Sequence, residues 1–357
     1  MYPKTPRAKL RNNNLKHKSE SAKTFSDFFK MEYFVSTKNN SSLADEVADF
    51  MKAFPAHRTE IISKAIADAE NGKTRMLDLV RKQRAADFHP DSSLEVRETV
   101  FKTDFGAIPA QTYRLKSAPA ARLPALLYIH GGGWVIGSVK SCAKLCADIA
   151  MKAGCFVAAI DYSLAPETKF PQPVRECCAA FRFLRDNAAQ FGIDRDNIGV
   201  AGDSSGGNLA LASTIKLIEK HNVSPKRAAV FYPVADVGRG EKYASWGLYG
   251  SGFTLDSALM NAFTDAYFDD DSLKPTELAS PVNYSGFAKF PPTLIVSSGR
   301  DILSGQSYAL AQNMRAAGAK VRHTDVAEAV HIYMTMDGMP KSYDIGISEL
   351  LEFLRRT

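Results

Sequence analysis

From residue 97 onward the chain alternates short apolar runs with helix-length segments, and no other feature limits the fold so tightly. Runs at 124–129, 155–160, 197–202, 228–232, 292–297 and 320–326 read as strands, and 139–153, 173–190, 206–221, 304–317 and 342–355 read as helices. Strands separated in this way by helices build a mostly parallel sheet with helices on both faces, an α/β architecture. In such sheets chemistry gathers in the loops at the carboxyl ends of the strands. Just upstream, "RETVFKTDFGAIPAQTYRL" (97–115) has two β-rich runs about a glycine turn, the pattern of a hairpin.

Two stretches fall outside the alternation. Between 43 and 88, "SLADEVADFMKAF" opens on a capping serine and "TEIISKAIADAENGK" repeats apolar residues at helical spacing before a glycine stop. Residues 235–290 are too long for a plain connection, and their aromatics accompany a helical stretch near 255–268; an inserted cap or lid is expected there.

At 45% hydrophobic and 24% charged residues the composition is that of a soluble globular protein. The longest apolar runs, 123–129 and 155–160, fall short of the roughly 18 to 20 residues needed to span a bilayer, so no membrane span is expected. The first 30 residues hold eight Lys/Arg against two Asp/Glu, leaving 37 basic and 37 acidic residues in the remainder. The net charge of +6 therefore belongs to the leader, 1–42, and the body carries no nucleic-acid footprint. That leader lacks the apolar core of a secretory signal; it reads as a solvated, disordered tail, or as upstream sequence before a true start at Met31. Five cysteines, an odd number and few for this length, fit a reducing compartment, and a cytoplasmic location is expected. Cys142 with Cys146 and the adjacent Cys177 and Cys178 lack partners at metal-ligand spacing and read as packing residues; neither a metal nor a cofactor is called for.

Chemistry enters with "GVAGDSSGGNLALAS" (199–213). Gly202, Ser204 and Gly206 satisfy G-x-S-x-G only with Ser204 at the centre, since a frame on Ser205 would need glycine in place of Asp203. The motif lies between a strand and a helix, where a serine is held on a sharp turn with its Oγ exposed. Chance produces it in about one chain in ten of this size, so a second element is required. It lies in "YIHGGGWVIGS", where His130, Gly131, Gly132, Gly133 and Trp134 follow a strand. A glycine run there turns backbone N–H groups toward one point, as an acyl-transfer oxyanion requires. Gly132, Gly133 and Ser205 are the expected N–H donors.

Together "HGGGW", "DYSLAPETKFPQPV" and "GDSSGGNLA", in that order, resemble the hormone-sensitive lipase family of α/β-hydrolases, the bacterial esterases of the "HGGG" and "GDSAGG" type. The likeness runs from about 97 to 357. It implies an α/β-hydrolase domain at 91–234 and 291–357, capped by a helical part at 43–90 and a second segment at 235–290. It also implies the chain order Ser, Asp, His. Asp301, ending "PPTLIVSSGRD", matches the family's acid, and His331 in "VAEAVHIYM" follows the last strand. Of the other histidines, His17 is in the leader, His57 and His89 precede the sheet, His221 ends a helix, His323 lies inside a strand, and His130 braces the glycine loop.

The chain departs from the family at Ser163, where arginine is usual, at Gly305, where a second acid is usual, and at Ile332, where "H-G-F" becomes "HIY". Asp203 matches the family and is expected to hydrogen-bond near the nucleophile turn, or to serve structure alone. The side chain of Ser205 is expected to matter little. Trp134, Trp246, Tyr249, Phe253, Phe263, Tyr267 and Phe268 are the candidates for the substrate pocket. The resemblance implies a serine carboxylesterase for small-molecule esters of short to medium acyl chain. An amidase or peptidase using the same residues, and a ligand receptor like the plant gibberellin receptors, are the alternatives; the receptors lack the histidine that His331 supplies. A homodimer through the edge of the last strand is an assembly that occurs in the family.

Overall fold

Leu94–Thr103 (β1) and Gly106–Leu115 (β2) form the expected hairpin, turning where Thr103 pairs with Gly106. Leu123–Ile129 (β3), Phe156–Ile160 (β4), Ile193–Asp203 (β5), Ala228–Phe231 (β6), Thr293–Arg300 (β7) and Val321–Val330 (β8) complete one eight-stranded sheet in the order β1-β2-β4-β3-β5-β6-β7-β8. These are features of a computed structural model that describes residues 42–55, 57–84, 88–119 and 122–357. The basic leader, apart from Ser42, and with it Met31 and His17, lies outside the described residues. β1 and β2 run antiparallel to each other and β2 antiparallel to β4, and the strands from β3 through β8 are parallel.

The central strands β3, β4, β6 and β7 are buried on both faces because helices cover both. Along β3, Leu126 and Tyr128 join one apolar cluster while Leu127 and Ile129 join the other, the two-residue period of a strand. On one side lie Ala143–Ala153 (α4) and Pro340–Arg356 (α11), joined by Leu43–Ala53 (α1). On the other lie Gln172–Asp186 (α5), the short Ala188–Phe191 (α6), Ser205–His221 (α7) and Ser304–Ala316 (α10). All five cysteines are free and buried in these layers.

The first helices attach through specific polar contacts. α1 opens with a reciprocal cap: Ser42 Oγ accepts from the Asp45 N–H at 3.1 Å, and the Asp45 carboxylate accepts from the Ser42 N–H at 2.9 Å. The buried Glu46 of α1 accepts from Lys341 N, Ser342 N and Ser342 Oγ at the start of α11, a carboxylate placed where a helix dipole is positive. Arg58–Glu70 (α2) and Arg75–Arg84 (α3) follow. Arg81 of α3 donates from Nε to Val135 O (2.9 Å) and from Nη2 to Ala165 O (2.8 Å), and it pairs with Glu167.

The 235–290 segment contains the helices Ala244–Tyr249 (α8) and Ser257–Tyr267 (α9) and four short 3-10 turns. Its longer helix falls where the sequence places one, and α9 packs against α2. No helix of the described residues is long and apolar enough to cross a membrane.

Candidate active site

Ser204 sits between β5 and α7 with φ 54° and ψ −122°, a conformation that costs an L-residue on the order of 1–3 kcal/mol. Its backbone is pinned to hold that shape. The Ser204 N–H donates to Phe231 O at 2.9 Å, and its carbonyl accepts from Asn208 N and Val234 N. The flanking glycines are required by crowding: a Cβ on Gly206 would stand 2.1 Å from Ile129 O, and one on Gly202 would stand 2.4 Å from Gly206 O.

Three residues distant in sequence converge at the carboxyl ends of β5, β7 and β8. Ser204 Oγ lies 2.8 Å from His331 Nε2, and His331 Nδ1 lies 2.6 Å from Asp301 Oδ2. The second carboxylate oxygen of Asp301 accepts from Leu303 N at 2.9 Å. With Nδ1–H directed at Asp301, Nε2 is free to accept from the Ser204 hydroxyl. Thr254 Oγ1 donates to the His331 carbonyl (3.0 Å), and the Tyr232 ring meets the imidazole edge-on at 4.7 Å. All three side chains are buried. His323, eight residues before His331, lies within β8 beside Ser297 Oγ (2.9 Å) and the Tyr308 ring.

The glycine loop is tied down from several sides. Asp203 Oδ1 accepts from both Gly131 N (3.0 Å) and Tyr128 OH (2.9 Å), joining the Ser204 turn to this loop. His130 stacks on Tyr162 at 4.4 Å and donates from Nδ1 to Gly131 O at 2.9 Å, while Tyr162 OH donates to His130 O. Burial holds the His130 imidazole below its ordinary pKa, which favours its neutral form. Gly132 and Gly133, with φ of +121° and +60°, face the cleft beside Ser204 and His331. Ser205 has a role the motif did not disclose: its Oγ accepts from Trp134 N at 3.1 Å, so the side chain as well as the backbone belongs to this loop's support.

A cleft partly open to solvent lies above Ser204. Among the aromatic candidates only Phe263 lines it. Trp134 and Tyr267 instead stack on each other in the core at 4.7 Å with Phe268 at their edge. Trp246 packs over Gly240, and Tyr249 meets Phe253 edge-on at 5.3 Å. Large rings gain most from burial, and Trp134, Tyr267 and Phe268 find it against each other, while Trp246, Tyr249 and Phe253 stay half-buried. The cleft wall is built from Phe54, Ile62, Leu255, Leu259 and Met260, with Arg58 and Arg84. A signal for part of this is present in the chain: Arg58, Ile62, Ile66 and Ala69 follow helical spacing, which sets a charged residue on the buried face of α2.

The three departures from the family have structural counterparts. Ser163 donates from N and Oγ to the buried Glu176 at 2.7 and 2.9 Å. A side chain on Gly305 would meet Tyr243 Cβ at 2.8 Å, leaving no room for the family's second acid. Ile332, at φ +71°, occupies the left-handed region that glycine adopts without strain.

A mostly parallel sheet with a serine on the strand–helix turn after β5, met by His331 and Asp301, defines the class as α/β hydrolase. The chain belongs to the α/β-hydrolase fold family, in its hormone-sensitive-lipase-like branch, which matches residues 126–335. It is 31% identical over 255 residues to the ethyl acetate hydrolase of Pseudomonas putida, covering 71% of this chain and 80% of that one. To the carboxylic ester hydrolase LipN of Mycobacterium tuberculosis it is 29% identical over 272 residues, covering 74% and 71%. The solved structure of an α/β hydrolase enzyme from the metagenome of Lake Arreo, Spain, is similar at a TM-score of 0.70 and 27% identity, covering 96% of this chain and 94% of that one.

Proposed function

We propose that this carboxylic ester hydrolase works through Ser204, His331 and Asp301 on esters of short to medium acyl chain. The observation that carries the reading is the relay of 2.8 Å from Ser204 Oγ to His331 Nε2 and 2.6 Å from His331 Nδ1 to Asp301. His331 takes the serine proton as Oγ attacks the ester carbonyl, and Asp301 stabilises the imidazolium that forms. The developing oxyanion is held by the N–H groups of Gly132, Gly133 and Ser205, each such donor being worth about 3–4 kcal/mol. His331 then protonates the departing alcohol. Water, activated by the same imidazole, releases the acid and restores Ser204.

In this reading residues 43–90 and 235–290 form a cap over a catalytic domain of 91–234 and 291–357, and the aliphatic wall at Ile62, Leu255, Leu259 and Met260 receives the acyl chain. The test is hydrolysis of 4-nitrophenyl esters of graded acyl length. Ser204→Ala is expected to lower kcat on the order of 10⁶-fold while leaving the circular dichroism spectrum unchanged. Wild type without turnover, or a Ser204→Ala enzyme that still turns over, would overturn the assignment.

A further inference from the structure

Among the described residues, Ile332 is the one β-branched side chain on a backbone of positive φ, +71°. Cβ crowds the chain in that region, and a β-branched residue there is an outlier. The neighbours on both sides enforce it. His331 is fixed through Ser204, Asp301 and the Thr254 hydroxyl, which donates to its carbonyl at 3.0 Å. Tyr333 and Met334 are buried; the Tyr333 ring lies 5.4 Å from that of Tyr232, and the Met334 sulfur would stand 2.4 Å from a Cβ on Gly346. Thr335 N donates to Ile332 O at 3.0 Å, closing the turn, and Thr335 Oγ1 accepts from Arg84 Nη2 at 3.3 Å.

A turn anchored in this way requires a left-handed residue but no side chain, and glycine would supply it without strain. Strain retained at the edge of a cleft points to a use for the side chain. Ile332 is half-buried: it packs in part on the apolar cluster around α4 and α11, and it borders the cleft together with His331 and Ser204. Its place beside His331 decides which part of an ester it meets. In the proposed reaction the bond from Ser204 Oγ to the carbonyl carbon forms, the bond from that carbon to the alcohol oxygen breaks, and Nε2 passes the serine proton to that oxygen. The alcohol therefore lies against the imidazole. The wall assigned to the acyl chain, at Ile62, Leu259 and Met260, comes from α2 and α9 and not from the turn after β8.

We propose that Ile332 determines specificity for the alcohol part of the ester: its branched side chain narrows the cleft beside His331, so esters of unbranched primary alcohols are favoured over those of secondary alcohols. The proposal deepens the esterase reading and rests on it. Branching at the carbon that bears the ester oxygen adds a methyl group at the point nearest His331, and an apolar wall discriminates one such group by about tenfold or more. The alcohol has left before water attacks the acyl-enzyme, so the selectivity belongs to acylation and appears in kcat/KM.

The test measures kcat/KM for ethyl and isopropyl butyrate, followed by acid release, in wild type and in Ile332→Val, Ile332→Ala and Ile332→Gly. 4-Nitrophenyl acetate and hexanoate form a second pair, in which the acyl chain varies and the leaving group is constant. The isopropyl-to-ethyl ratio is expected to rise about tenfold in the Ala and Gly variants and least in Val, with the acyl ratio within about twofold of wild type. Ala keeps the left-handed strain and Gly removes it, so a rise shared by both reads the lost bulk and not a relaxed backbone. Ratios are internal to each variant, so partial loss of folded enzyme leaves them unaffected. An alcohol ratio within about twofold of wild type in both Ala and Gly would overturn the proposal, as would an acyl ratio that shifts as far as the alcohol ratio. Either result, with Ser204→Ala inactive, leaves the esterase reading standing. A wild type that turns over no ester, or a Ser204→Ala enzyme that still does, overturns both.

Discussion

Removing the Ser205 hydroxyl perturbs the site without touching Ser204, the proposed nucleophile. Ser205 Oγ is fully buried and accepts from Trp134 N at 3.1 Å, directly after the two glycines proposed to bind the oxyanion. In Ser205→Ala that N–H loses this acceptor in the interior, at a cost of about 1–3 kcal/mol. Two responses are available. If the loop stays in place, the cost appears as lower unfolding free energy. If the loop shifts to find another acceptor, the N–H groups of Gly132 and Gly133 move off the oxyanion, and kcat falls about tenfold for each 1.4 kcal/mol lost. The backbone N–H of Ser205 is retained, so the loss stays far below that of Ser204→Ala. Urea unfolding and kcat on a 4-nitrophenyl ester, measured on one preparation, are expected to show a combined penalty of about 1–3 kcal/mol, with KM little changed. A variant within about 0.5 kcal/mol of wild type in both would refute the claim that this hydroxyl holds the loop, and would restore the simpler view of Ser205 as a backbone donor.

Other perturbations probe the same supports. Gly133→Ala puts a Cβ 2.2 Å from the Phe263 ring at a φ of +60°; kcat is expected to fall at least about tenfold, and wild-type rates would show that the loop and α9 separate freely. Arg81→Ala removes the hydrogen bonds to Val135 O and Ala165 O together with the Glu167 pair; urea unfolding should register a loss of about 1–3 kcal/mol, accompanied by a lower kcat. Unchanged values would separate α3 from the glycine loop. For pH, burial depresses the folded-state pKa of both His130 and His323. The unfolded chain then takes up protons first, so their contribution is complete above about pH 6.5 and is lost as pH falls below it. Unfolding free energy should decline from about pH 7 to about pH 5.5, less steeply in His130→Gln; identical slopes would exclude His130 as a source.

Much of the backbone around the proposed catalytic residues is legible in the chain because local geometry dictates residue type there. Gly202 and Gly206 are spaced as they are because the carbonyls of Ile129 and Gly206 leave no room for a Cβ, and that crowding singles out Ser204 over Ser205. Parallel strands buried on both faces must be apolar along their length, so β3, β4, β6 and β7 stand out as runs. Ends are less legible. β5 begins at Ile193 because that residue pairs with Leu123, and β8 continues past an irregularity between Ser298 and Arg300 to Val330.

The make-up of the cleft wall lies largely beyond sequence reasoning. Helical spacing marks which residues of a helix share a face, but it does not say what that face meets. The docking of α2 on α9 brings Arg58, Ile62, Leu259 and Phe263 to Ser204, while Trp134 and Tyr267, whose size makes them pocket candidates, stack away from it. Local conformational demand is written in residue type and spacing, and it suffices for the sheet, the Ser204 turn and the glycine loop, whereas the chain order of Ser204, Asp301 and His331 comes from the family resemblance. The charge and shape of the cavity, and the role of the Ser205 hydroxyl, come instead from packing, because they depend on contacts between segments that no local pattern encodes.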